Sequence, residues 1–600
     1  MTTTVSSIFK DTVSRHGGRV AARHKVNGAW QTVTWAALGE QVHTVSAGLT
    51  ALGVPPKARV GVMANTRLDW VVADLGVLGA GCTTVPIYQS SIADDVQYIV
   101  NDAQIECLFV EDEGQVKKVE SARAQMPNLK HVICFDRCAA REGVTQWADF
   151  LKRGAEEWAA RREDVTSRVG EVSPQDLLTL VYTSGTTGRP KGVMITHDNM
   201  VYEAEAIEQI GIIKPDDVQL LFLPLAHIFA KVLEVTWFKL AHEMAFAESI
   251  ALVVDNMKDT QPTFMASVPR IFEKVHAKVV AKASSAPGLK GWLARWALRK
   301  ESEATATELS GGRAGGLGWG LAQRLVIKKV SANLKETFGG RLKFFISGGA
   351  PLPADIAYFF AHSGVTILEG YGLTETSAAT CVNLPKAGAH KIGTVGPALP
   401  GTEVRIAEDG EIMIRGRGVF KGYWNRPDAT AEALEADGWF HSGDLGAFDG
   451  ALLKITGRKK DIIVTAGGKN VAPQNIEGKL KSSCGIISQV VLHGDKRNFL
   501  SALVTLDEAA LKEWATARGL AGSYAELTGR AEVFAEVNAV FKEVNASLAS
   551  YETVKKFKIL PADFSVESGE LTPSLKVKRN VVFANYKALY DAFYEGGGER

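Results

Sequence analysis

Cysteine, net charge and long apolar runs are all scarce in this chain of 600 residues. Six cysteines are too few for a disulfide-stabilised scaffold; they are Cys82, Cys107, Cys134, Cys138, Cys381 and Cys484. Cys134 and Cys138 form a C-x3-C pair without a second Cys or His pair nearby, so we interpret them as buried thiols rather than a zinc site. The 68 basic residues balance 67 acidic ones, which excludes a general basic field and predicts no nucleic-acid partner.

The apolar segments are too interrupted to predict a membrane span. The best candidate, residues 220–241, includes Lys231, Glu234, Lys239 and a proline, which make a poor spanning helix. The first residues lack the basic-then-apolar pattern of a secretion signal. With 46% apolar and 22% charged residues, the composition is that of a soluble globular protein, and we expect a cytoplasmic location.

Alternating strand-like and helical patterns organise the first 180 residues. Short apolar runs such as 58–65 and 85–88 are separated by helical patterns, which predicts an α/β fold with parallel sheets covered by helices. Beyond about residue 400, period-two patterns and Asp-Gly turns predict a small β-rich subdomain. A charged break at 457–461 precedes a compact α/β pattern. We therefore predict a large N-terminal domain, 1–457, and a small C-terminal domain, 458–600.

Residues 282–335 form a predicted lid-like insertion, with a basic helical piece, a polar stretch and a glycine-rich link. The helical piece places Leu289, Leu293 and Trp296 on one stripe beside Trp292, and its basic residues Lys290, Arg295, Arg299 and Lys300 flank that stripe. Two interpretations remain open. The stripe packs on its own domain, which is the common outcome, or residues 289–300 make a peripheral contact with an anionic membrane.

A hydroxyl-rich loop follows the strand-like run at 177–182. Its glycines allow close backbone approach, while its hydroxyl groups, amides and lysine suit phosphate oxygens; the loop comprises Thr183, Ser184, Gly185, Thr186, Thr187, Gly188, Arg189, Pro190, Lys191 and Gly192. It is not a Walker loop, because Arg-Pro separates the last glycine from the lysine. From chemistry alone, an anion site and an ordinary surface turn both remain open.

The segment TSGTTGRPKG resembles the phosphate-loop signature of the acyl-adenylate-forming superfamily, which includes acyl-CoA synthetases, luciferases and peptide-synthetase adenylation domains. The resemblance implies that this loop binds the β- and γ-phosphates of ATP through Thr183, Lys191 and the residues between them, and that Thr187 also contacts the metal ion. It also implies a large adenylation domain and a small, mobile α/β domain.

Three further segments resemble motifs of the same superfamily in the same order. Ser347-Gly348-Gly349-Ala350-Pro351 is similar to the adenine-side loop. Glu369-Gly370-Tyr371-Gly372-Leu373-Thr374-Glu375 is similar to a motif whose tyrosine flanks adenine, whose threonine touches the α-phosphate and whose final glutamate holds Mg²⁺. Trp439–Asp444 is similar to an element in which Asp444 accepts hydrogen bonds from the ribose hydroxyls. Taken alone, Glu375 and Asp444 would be a solvated loop acid and a turn residue.

The C-terminal region carries three more resemblances. The segment 457–461 is similar to the interdomain hinge, which places Arg458 near the ribose, Lys460 at the pivot and Ile455 in the nucleotide site. Gly467, Gly468 and Lys469 begin a loop similar to the one that lines the thiol tunnel. The superfamily's mobile catalytic lysine usually follows a glycine. This chain instead has Thr572-Pro573-Ser574-Leu575-Lys576, so we choose Lys576 with Lys578 as competitor, against a solvent-facing basic strand end.

The acyl pocket is predicted beside Leu223-Pro224-Leu225-Ala226-His227-Ile228-Phe229. A lone histidine among apolar residues is usually a core residue, but the resemblance makes His227 and Phe229 neighbours of the acyl group. His242-Glu243 does not begin a zinc-protease H-E-x-x-H motif, because residue 246 is Phe. No acidic residue stands where amino-acid-activating relatives bind an ammonium group in the segments that can be placed, which favours a fatty acid.

The overall pattern is similar to long-chain fatty acyl-CoA synthetases of an actinobacterial type. The implied activity is ATP-dependent activation of a fatty acid to an acyl-adenylate, with Mg²⁺, followed by transfer to coenzyme A. The catalytic residues implied are Lys576, Glu375, Thr374 and Lys191. One alternative is a fatty acyl-AMP ligase that delivers the acyl group to a carrier protein; others are a non-catalytic nucleotide sensor and a phosphotransferase that would release ADP.

Overall fold

The computed structural model describes residues 3–183 and 189–595. Its N-terminal part contains a sheet of seven strands, all parallel except for one antiparallel pair at the edge. In spatial order the strands are Val144–Gln146, His131–Cys134, Cys107–Val110, Arg59–Met63, Thr83–Ile87, Leu177–Thr183 and Lys191–Thr196. The edge pair consists of the two strands that flank the hydroxyl-rich segment in the sequence, and Thr183 pairs with Lys191 at the end of this pair.

A second sheet has eight strands, with a parallel centre and an antiparallel pair at each edge. Its order is Cys381–Val382, Ile367–Tyr371, Phe344–Ser347, Phe264–Ser267, Val218–Leu221, Glu243–Phe246, Val20–Val26 and Ala29–Thr34. Its central strands are buried, for example all four residues of Phe264–Ser267, as expected where helices cover both faces of a parallel sheet.

The hairpins predicted beyond residue 400 form a four-stranded antiparallel sheet of Glu403–Ile406, Glu411–Arg415, Phe440–Asp449 and Leu452–Arg458. Towards the C-terminus there is a two-stranded sheet, Ile463–Val464 with Asn470–Val471. A three-stranded sheet follows, with Ile487–His493, Leu500–Leu506 and Val554–Ile559. The α/β class is confirmed.

Helices fill the connections between these strands. Up to residue 433 the α-helices are Val5–His16, Trp35–Ala51, Leu68–Gly79, Ala93–Asp102, Glu113–Ala122, Trp147–Glu171, His197–Ile210, Ile228–Leu240, Val253–Thr260, Pro269–Ser285, Gly288–Leu309, Leu317–Ala322, Lys328–Thr337, Ala354–His362 and Pro427–Ala433. The later ones are Pro473–Ser483, Glu508–Thr516, Tyr524–Thr528, Ala531–Ala546, Arg579–Asn585 and Lys587–Tyr594. Short 3₁₀ turns occur at Arg123–Gln125, Thr374–Thr376, Lys459–Asp461 and Ser550–Glu552, and a π-helical turn at Gln323–Ile327.

Different parts of the sequence form different hydrophobic cores. The largest cluster of buried side chains contains residues between Val5 and Leu453. Two other clusters consist wholly of residues from Ile463 onward. Each group therefore buries its own apolar surface, which is what stabilises an independent folding unit.

The insertion differs from its predicted organisation. The polar stretch does not interrupt the helix, because Gly288–Leu309 is continuous over 22 residues. Two of its acids stabilise this polar half, since Glu301 and Glu308 accept hydrogen bonds from the ring nitrogens of His362 at 3.0 and 3.1 Å. Leu293 and Trp296 are partly buried, whereas Leu289 and Trp292 face solvent. The predicted stripe is thus divided between the fold and the surface.

Two other features bear on the sequence predictions. Within the described residues, no helix has both the length and the apolar character needed to cross a membrane. The interpretation of Cys134 and Cys138 as buried thiols is correct for Cys134 and wrong for Cys138, which is only partly buried. Cys138 lies beyond the end of its strand, where the side-chain amide of Gln146 donates to its Sγ at 2.8 Å.

Candidate active site

A cleft of about 3900 Å³ collects most of the residues singled out from the sequence. Both large sheets, the antiparallel sheet and the C-terminal part contribute to its walls. Parallel strands that end at one edge bring their following loops together, which is why motifs far apart in the chain meet here. We refer to this space as the cleft.

The hydroxyl-rich loop opens onto the cleft through its two ends. Thr183 ends one strand and Lys191 begins the next, and the two residues pair across the antiparallel hairpin. Both line the cleft. The predicted ATP ligands Ser184, Gly185, Thr186, Thr187 and Gly188 lie outside the described residues. A strand rather than a helix begins at Lys191, in agreement with the absence of a Walker motif.

The adenine-side loop begins where the strand Phe344–Ser347 ends. Gly348, Gly349 and Ala350 line the cleft. Gly349 has a φ of +81°, a conformation that favours glycine. A Cβ at Gly348 would lie 3.1 Å from the ring of Phe229, so this loop packs directly against a residue predicted for the acyl pocket.

The segment Glu369–Glu375 crosses the floor of the cleft. Its strand ends at Tyr371 and a 3₁₀ turn covers Thr374–Thr376. Gly372 has no room for a side chain, because a Cβ there would lie 1.6 Å from the carbonyl oxygen of Ala378. The sharp turn that follows places Thr374 and Glu375 on the cleft wall.

Asp444 is the centre of a buried polar cluster. It accepts a hydrogen bond from the Tyr371 hydroxyl at 2.8 Å and another from Nε of Arg458 at 2.9 Å. Asp444 and Arg458 are directly opposite on adjacent antiparallel strands. Burial and the Asp444 charge raise the pKa of Tyr371, so the phenol stays a donor. Burial alone would lower the pKa of Arg458, but Asp444 raises it.

A tight turn at Thr572–Lys576 carries Lys576 to the cleft. The amide of Thr572 donates to the Lys576 carbonyl at 2.8 Å, and the Lys576 amide donates to the Thr572 hydroxyl at 3.0 Å. Leu575 adopts a left-handed φ of 62° to close the turn. The hydroxyl of Ser90 donates to the carbonyl of Pro573 at 2.8 Å, which ties this C-terminal turn to the first sheet.

The electrostatic surroundings of Lys576 are those of a group inside the cleft. Burial lowers its pKa, and the charge of Arg458 lowers it further, whereas Asp444 and Glu375 act in the opposite direction. The Lys576 side chain is exposed to solvent, and it lies within the cleft, where charged groups of the protein act on it. Lys578 also lines the cleft, but its amide donates back to the Glu570 carbonyl, and its charge acts on Asp95.

His227 caps a helix and faces the cleft. The Phe229 amide donates to its Nδ1 at 3.2 Å, so the proton of the neutral ring resides on Nε2. Burial and the charge of Lys576 lower its pKa to about 3. At neutral pH His227 is therefore an uncharged donor beside Lys576, able to hydrogen-bond a carboxylate without contributing charge.

The remaining predicted residues divide into two groups. Ile455 and Lys460 line the cleft with Arg458, and Phe229 lines it beside His227. Gly467, Gly468 and Lys469 are exposed on the hairpin between Ile463–Val464 and Asn470–Val471 and are absent from the cleft walls in the described part of the chain. This arrangement of the C-terminal part therefore brings Lys576, and not the predicted thiol loop, to the cleft.

Sequence reasoning missed two sets of residues. Tyr423 lines the cleft and donates to Glu375 at 2.8 Å; its only sequence signal is an aromatic pair after a glycine. Arg270, at the start of a large-domain helix, pairs with Asp507 at 3.4 Å. That ion pair joins segments 237 residues apart, and nothing in the local sequence indicates it.

Glu369 is predicted to make the fold sensitive to pH. Burial raises its pKa to about 7, so the folded chain holds a proton that the unfolded chain loses near pH 4.3. Stability from this group is present below pH 4.3 and is lost as the pH rises towards 7. We expect Glu369→Gln to increase the free energy of unfolding at pH 8 by up to about 3 kcal/mol, and so to raise the thermal unfolding midpoint. At pH 5 the substitution should change the midpoint little.

The control for this prediction is Glu408→Gln, which alters an exposed acid and is expected to match the unmodified protein at both pH values. Differential scanning calorimetry provides the measurement. An equal effect of Glu369→Gln at pH 5 and pH 8 would contradict a buried, protonated carboxyl group.

Taken together, the geometry suits a nucleotide polyphosphate beside a carboxylic acid. Two lysines, Lys191 and Lys576, supply positive charge, Glu375 supplies an oxygen ligand for a cation, and Asp444 supplies an acceptor for hydroxyl groups. Such preorganised charges stabilise a transition state in which negative charge builds on phosphorus.

Comparison with known proteins agrees with this chemistry. A family model described as AMP-binding enzyme matches residues 9–424, and one described as AMP-binding enzyme C-terminal domain matches residues 460–597. The chain is 36% identical over 574 residues to a long-chain-fatty-acid–CoA ligase of Mycobacterium tuberculosis, covering 95% of this chain and 93% of the relative. It is 30% identical to a human long-chain-fatty-acid–CoA ligase, covering 99% of this chain and 85% of that relative.

Solved structures show the same fold at lower identity. An anthranilate CoA ligase in complex with anthranoyl-AMP aligns with a TM-score of 0.72 at 18% identity, over 98% of each chain. The adenylation domain of a carboxylate reductase from Mycobacterium chelonae aligns with a TM-score of 0.75 at 21% identity, over 99% of this chain and 91% of that one.

Proposed function

The chain belongs to the AMP-binding enzyme family, and we propose from this that it is an ATP-dependent, AMP-forming long-chain fatty acid–CoA ligase. The observation that carries the proposal is the convergence of Lys191, Glu375, Asp444 and Lys576 on one cleft. Both nearly full-length relatives described above carry the name long-chain-fatty-acid–CoA ligase. The expected co-substrates are ATP and coenzyme A.

In the first half-reaction the fatty carboxylate attacks the α-phosphorus of ATP, an acyl-adenylate forms and pyrophosphate leaves. We assign Asp444 to the ribose, Tyr371 and the 348–350 loop to adenine, and Lys191 to the β- and γ-phosphates. Thr374 and Lys576 would contact the reacting phosphate and carboxylate. Lys576 acts there as a countercharge, because negative charge accumulates on the phosphoryl oxygens.

The residues of the cleft fit a divalent cation. Glu375 offers a hard carboxylate oxygen beside the phosphate end of the cleft. No group of three or more His, Cys, Asp or Glu suited to a metal occurs in the described residues, which fits a cation held mainly by the polyphosphate. When bound, Mg²⁺ would neutralise phosphate charge, and Glu375 would hold it.

In the second half-reaction a CoA thiolate attacks the acyl carbonyl and AMP leaves. Gly467, Gly468 and Lys469 do not line the cleft in this arrangement, so we propose that the small domain, 458–600, turns about the 457–461 segment between the two steps. Lys460 lies in the 3₁₀ turn Lys459–Asp461, which falls in the sequence between Leu453 of the first core and Ile463 of the second.

An apolar arm of the cleft provides the acyl site. On the helices Pro269–Ser285, Gly288–Leu309 and Lys328–Thr337 the cleft is lined by Val275, Val279, Leu298, Val330 and Leu334, together with charged residues such as Lys278, Lys282 and Glu308. Each buried methylene contributes about 0.8 kcal/mol. Neutral His227 also lines the cleft, and we assign it to hydrogen-bond the carboxylate.

Product analysis tests the proposed function. Protein, ATP, Mg²⁺, CoA and a panel of saturated acids should give AMP, pyrophosphate and acyl-CoA. Release of ADP would instead indicate a phosphotransferase. Transfer of the acyl group to a holo-carrier protein but not to CoA would indicate a fatty acyl-AMP ligase, and fatty-acid-independent ATP binding without turnover would indicate a sensor.

The insertion presents apolar side chains to solvent, and we propose that it contacts the inner face of the cytoplasmic membrane. Leu289 is 79% exposed, Trp292 55%, Leu317 91% and Leu321 51%. Exposed basic residues lie on the same segment, including Lys290, Arg324, Lys328 and Lys329. Apolar side chains beside lysine and arginine suit an anionic lipid surface, from which a fatty acid would enter the apolar arm.

Vesicle flotation tests this contact. We expect the double variant Trp292→Ala/Leu317→Ser to reduce binding to phosphatidylglycerol vesicles at least tenfold, since each buried apolar side chain contributes about 1.5–3 kcal/mol and about 1.4 kcal/mol is a factor of ten. The matched control, Phe448→Ser, removes a 47% exposed aromatic elsewhere and should float normally. Equal flotation of all three proteins would count against the membrane contact.

A further inference from the structure

Tyr423 stands between two charged groups of the cleft that come from different sheets. Its hydroxyl donates to Oε1 of Glu375 at 2.8 Å. The ammonium group of Lys191 lies over its ring, 4.9 Å from the ring centroid, within the range of a cation–π contact. One side chain thus touches both the phosphate lysine and the proposed metal carboxylate.

The backbone around Tyr423 fixes it to the same two elements. The amide of Phe420 donates to the carbonyl of Glu375 at 2.8 Å, and the amide of Trp424 donates to the carbonyl of Gly192 at 2.7 Å. Tyr423 also forms an antiparallel bridge with Val193. The segment 420–424 therefore joins the strand that begins at Lys191 to the turn that carries Glu375.

The side chain itself is held in one orientation. The Phe420 ring meets the Tyr423 ring edge-on at a centroid distance of 4.8 Å, and the Tyr423 amide donates to the Thr430 hydroxyl at 2.9 Å. Burial and the Glu375 charge raise the pKa of Tyr423, so the phenol remains a donor throughout the physiological range. The hydrogen bond uses one carboxylate oxygen and leaves Oε2 available as a ligand for a cation.

We propose that Tyr423 is a positioning residue that couples the metal carboxylate Glu375 to the phosphate lysine Lys191, so that both are oriented before MgATP binds. This role rests on the proposed function, because it gives the two groups a common substrate. A hydroxyl held against a carboxylate restricts its rotation, and a ring face beneath an ammonium restricts the lysine, so less ordering is needed on binding.

The two contacts can be separated by substitution. Tyr423→Phe retains the ring and removes the hydroxyl group, so the metal-dependent part of ATP binding should weaken. Tyr423→Leu removes the ring as well, so metal-free ATP binding should weaken too, through Lys191. A role confined to folding would lower both affinities together in either variant.

Isothermal titration of ATP, without fatty acid, in Mg²⁺ or in EDTA measures this difference directly. The ratio of the Kd for ATP in EDTA to the Kd in Mg²⁺ should be at least fivefold smaller in Tyr423→Phe than in the unmodified protein. The Kd in EDTA itself should change less than twofold. In Tyr423→Leu the EDTA Kd should rise about threefold or more. Tyr202→Phe is the matched control, since Tyr202 also makes hydroxyl hydrogen bonds and faces an arginine outside the cleft.

A double variant shows whether Tyr423 acts through Glu375. In the Glu375→Gln background, Tyr423→Phe should produce no further loss of the Mg²⁺ effect, because contacting residues in one network are non-additive. An unchanged Mg²⁺ effect in Tyr423→Phe, or additive losses in the double variant, would overturn the positioning role while leaving the ligase function intact. Failure of the unmodified protein to bind ATP would overturn both.

Discussion

Replacing Lys576 by alanine should reduce the rate of acyl-adenylate formation about 10²–10³-fold, the loss typical when one preorganised donor to a charged transition state is removed. Lys576 is the ammonium group that the Thr572–Lys576 turn places near Asp444, Glu375 and Arg458. ATP affinity should change little, because Lys191 and Asp444 remain. Fatty-acid-dependent exchange of pyrophosphate into ATP measures this first half-reaction alone.

Lys578→Ala is the matched control, two residues along the same segment. The exchange rate of Lys578→Ala should stay within a few-fold of that of the unmodified protein. The Lys576→Ala variant should still convert supplied acyl-adenylate to acyl-CoA, because that step does not require adenylation. If Lys578→Ala abolished exchange while Lys576→Ala did not, the assignment of the two lysines would be reversed.

The same lysine should set an alkaline limit to the reaction. Burial and Arg458 lower its pKa, so the free enzyme loses this positive charge as the pH rises through that lowered value. The exchange rate at low substrate should fall over the same interval. In Lys576→Arg, whose guanidinium stays charged, the decline should shift to higher pH; an unshifted decline would assign it to another group.

Asp444→Ala is expected to raise the KM for ATP about 10²-fold. Asp444 accepts bonds from Tyr371 and Arg458 and is the proposed acceptor of the ribose hydroxyls; hydrogen bonds to a charged group contribute about 1.5–3 kcal/mol each. The substitution also leaves Arg458 without its carboxylate partner at 2.9 Å. Steady-state kinetics with varied ATP and saturating fatty acid provide the measurement.

Asp437→Ala makes a good comparison, because Asp437 is an exposed acid just before the same strand and is not among the described residues that line the cleft. It should leave the KM for ATP within twofold. An Asp444→Ala enzyme with normal KM and lowered kcat would place Asp444 in the chemical step rather than in nucleotide binding.

The sequence predicted those parts of the cleft that short motifs encode. Tyr371, Glu375, Asp444 and Lys576 each stand in a local pattern of glycines and polar residues, and alternating patterns were enough to predict parallel sheets. The division into 1–457 and 458–600 stays a prediction. The roles of individual site residues also stay predictions, to be tested by the variants above.

Contacts between distant segments could not be predicted in the same way. Tyr423 meets Glu375 from 48 residues away and Arg270 meets Asp507 from 237 residues away, and composition carries no signal for either. The helix Gly288–Leu309 was predicted too short, because its polar half is stabilised by His362, a residue outside the segment. Tertiary pairing decides such cases, and a single sequence does not encode it locally.

The close approach of Phe229 to Gly348 places one aromatic ring in contact with both the proposed adenine loop and the proposed acyl site. A substitution that moves this ring should therefore change both nucleotide affinity and acyl preference. A methyl group added at Gly348 would lie 3.1 Å from the Phe229 ring and force the ring to shift, and a smaller side chain in place of Phe229 would make room for that methyl group. Redesign of acyl preference near this ring is thus best attempted with paired substitutions, since single ones would also disturb nucleotide affinity.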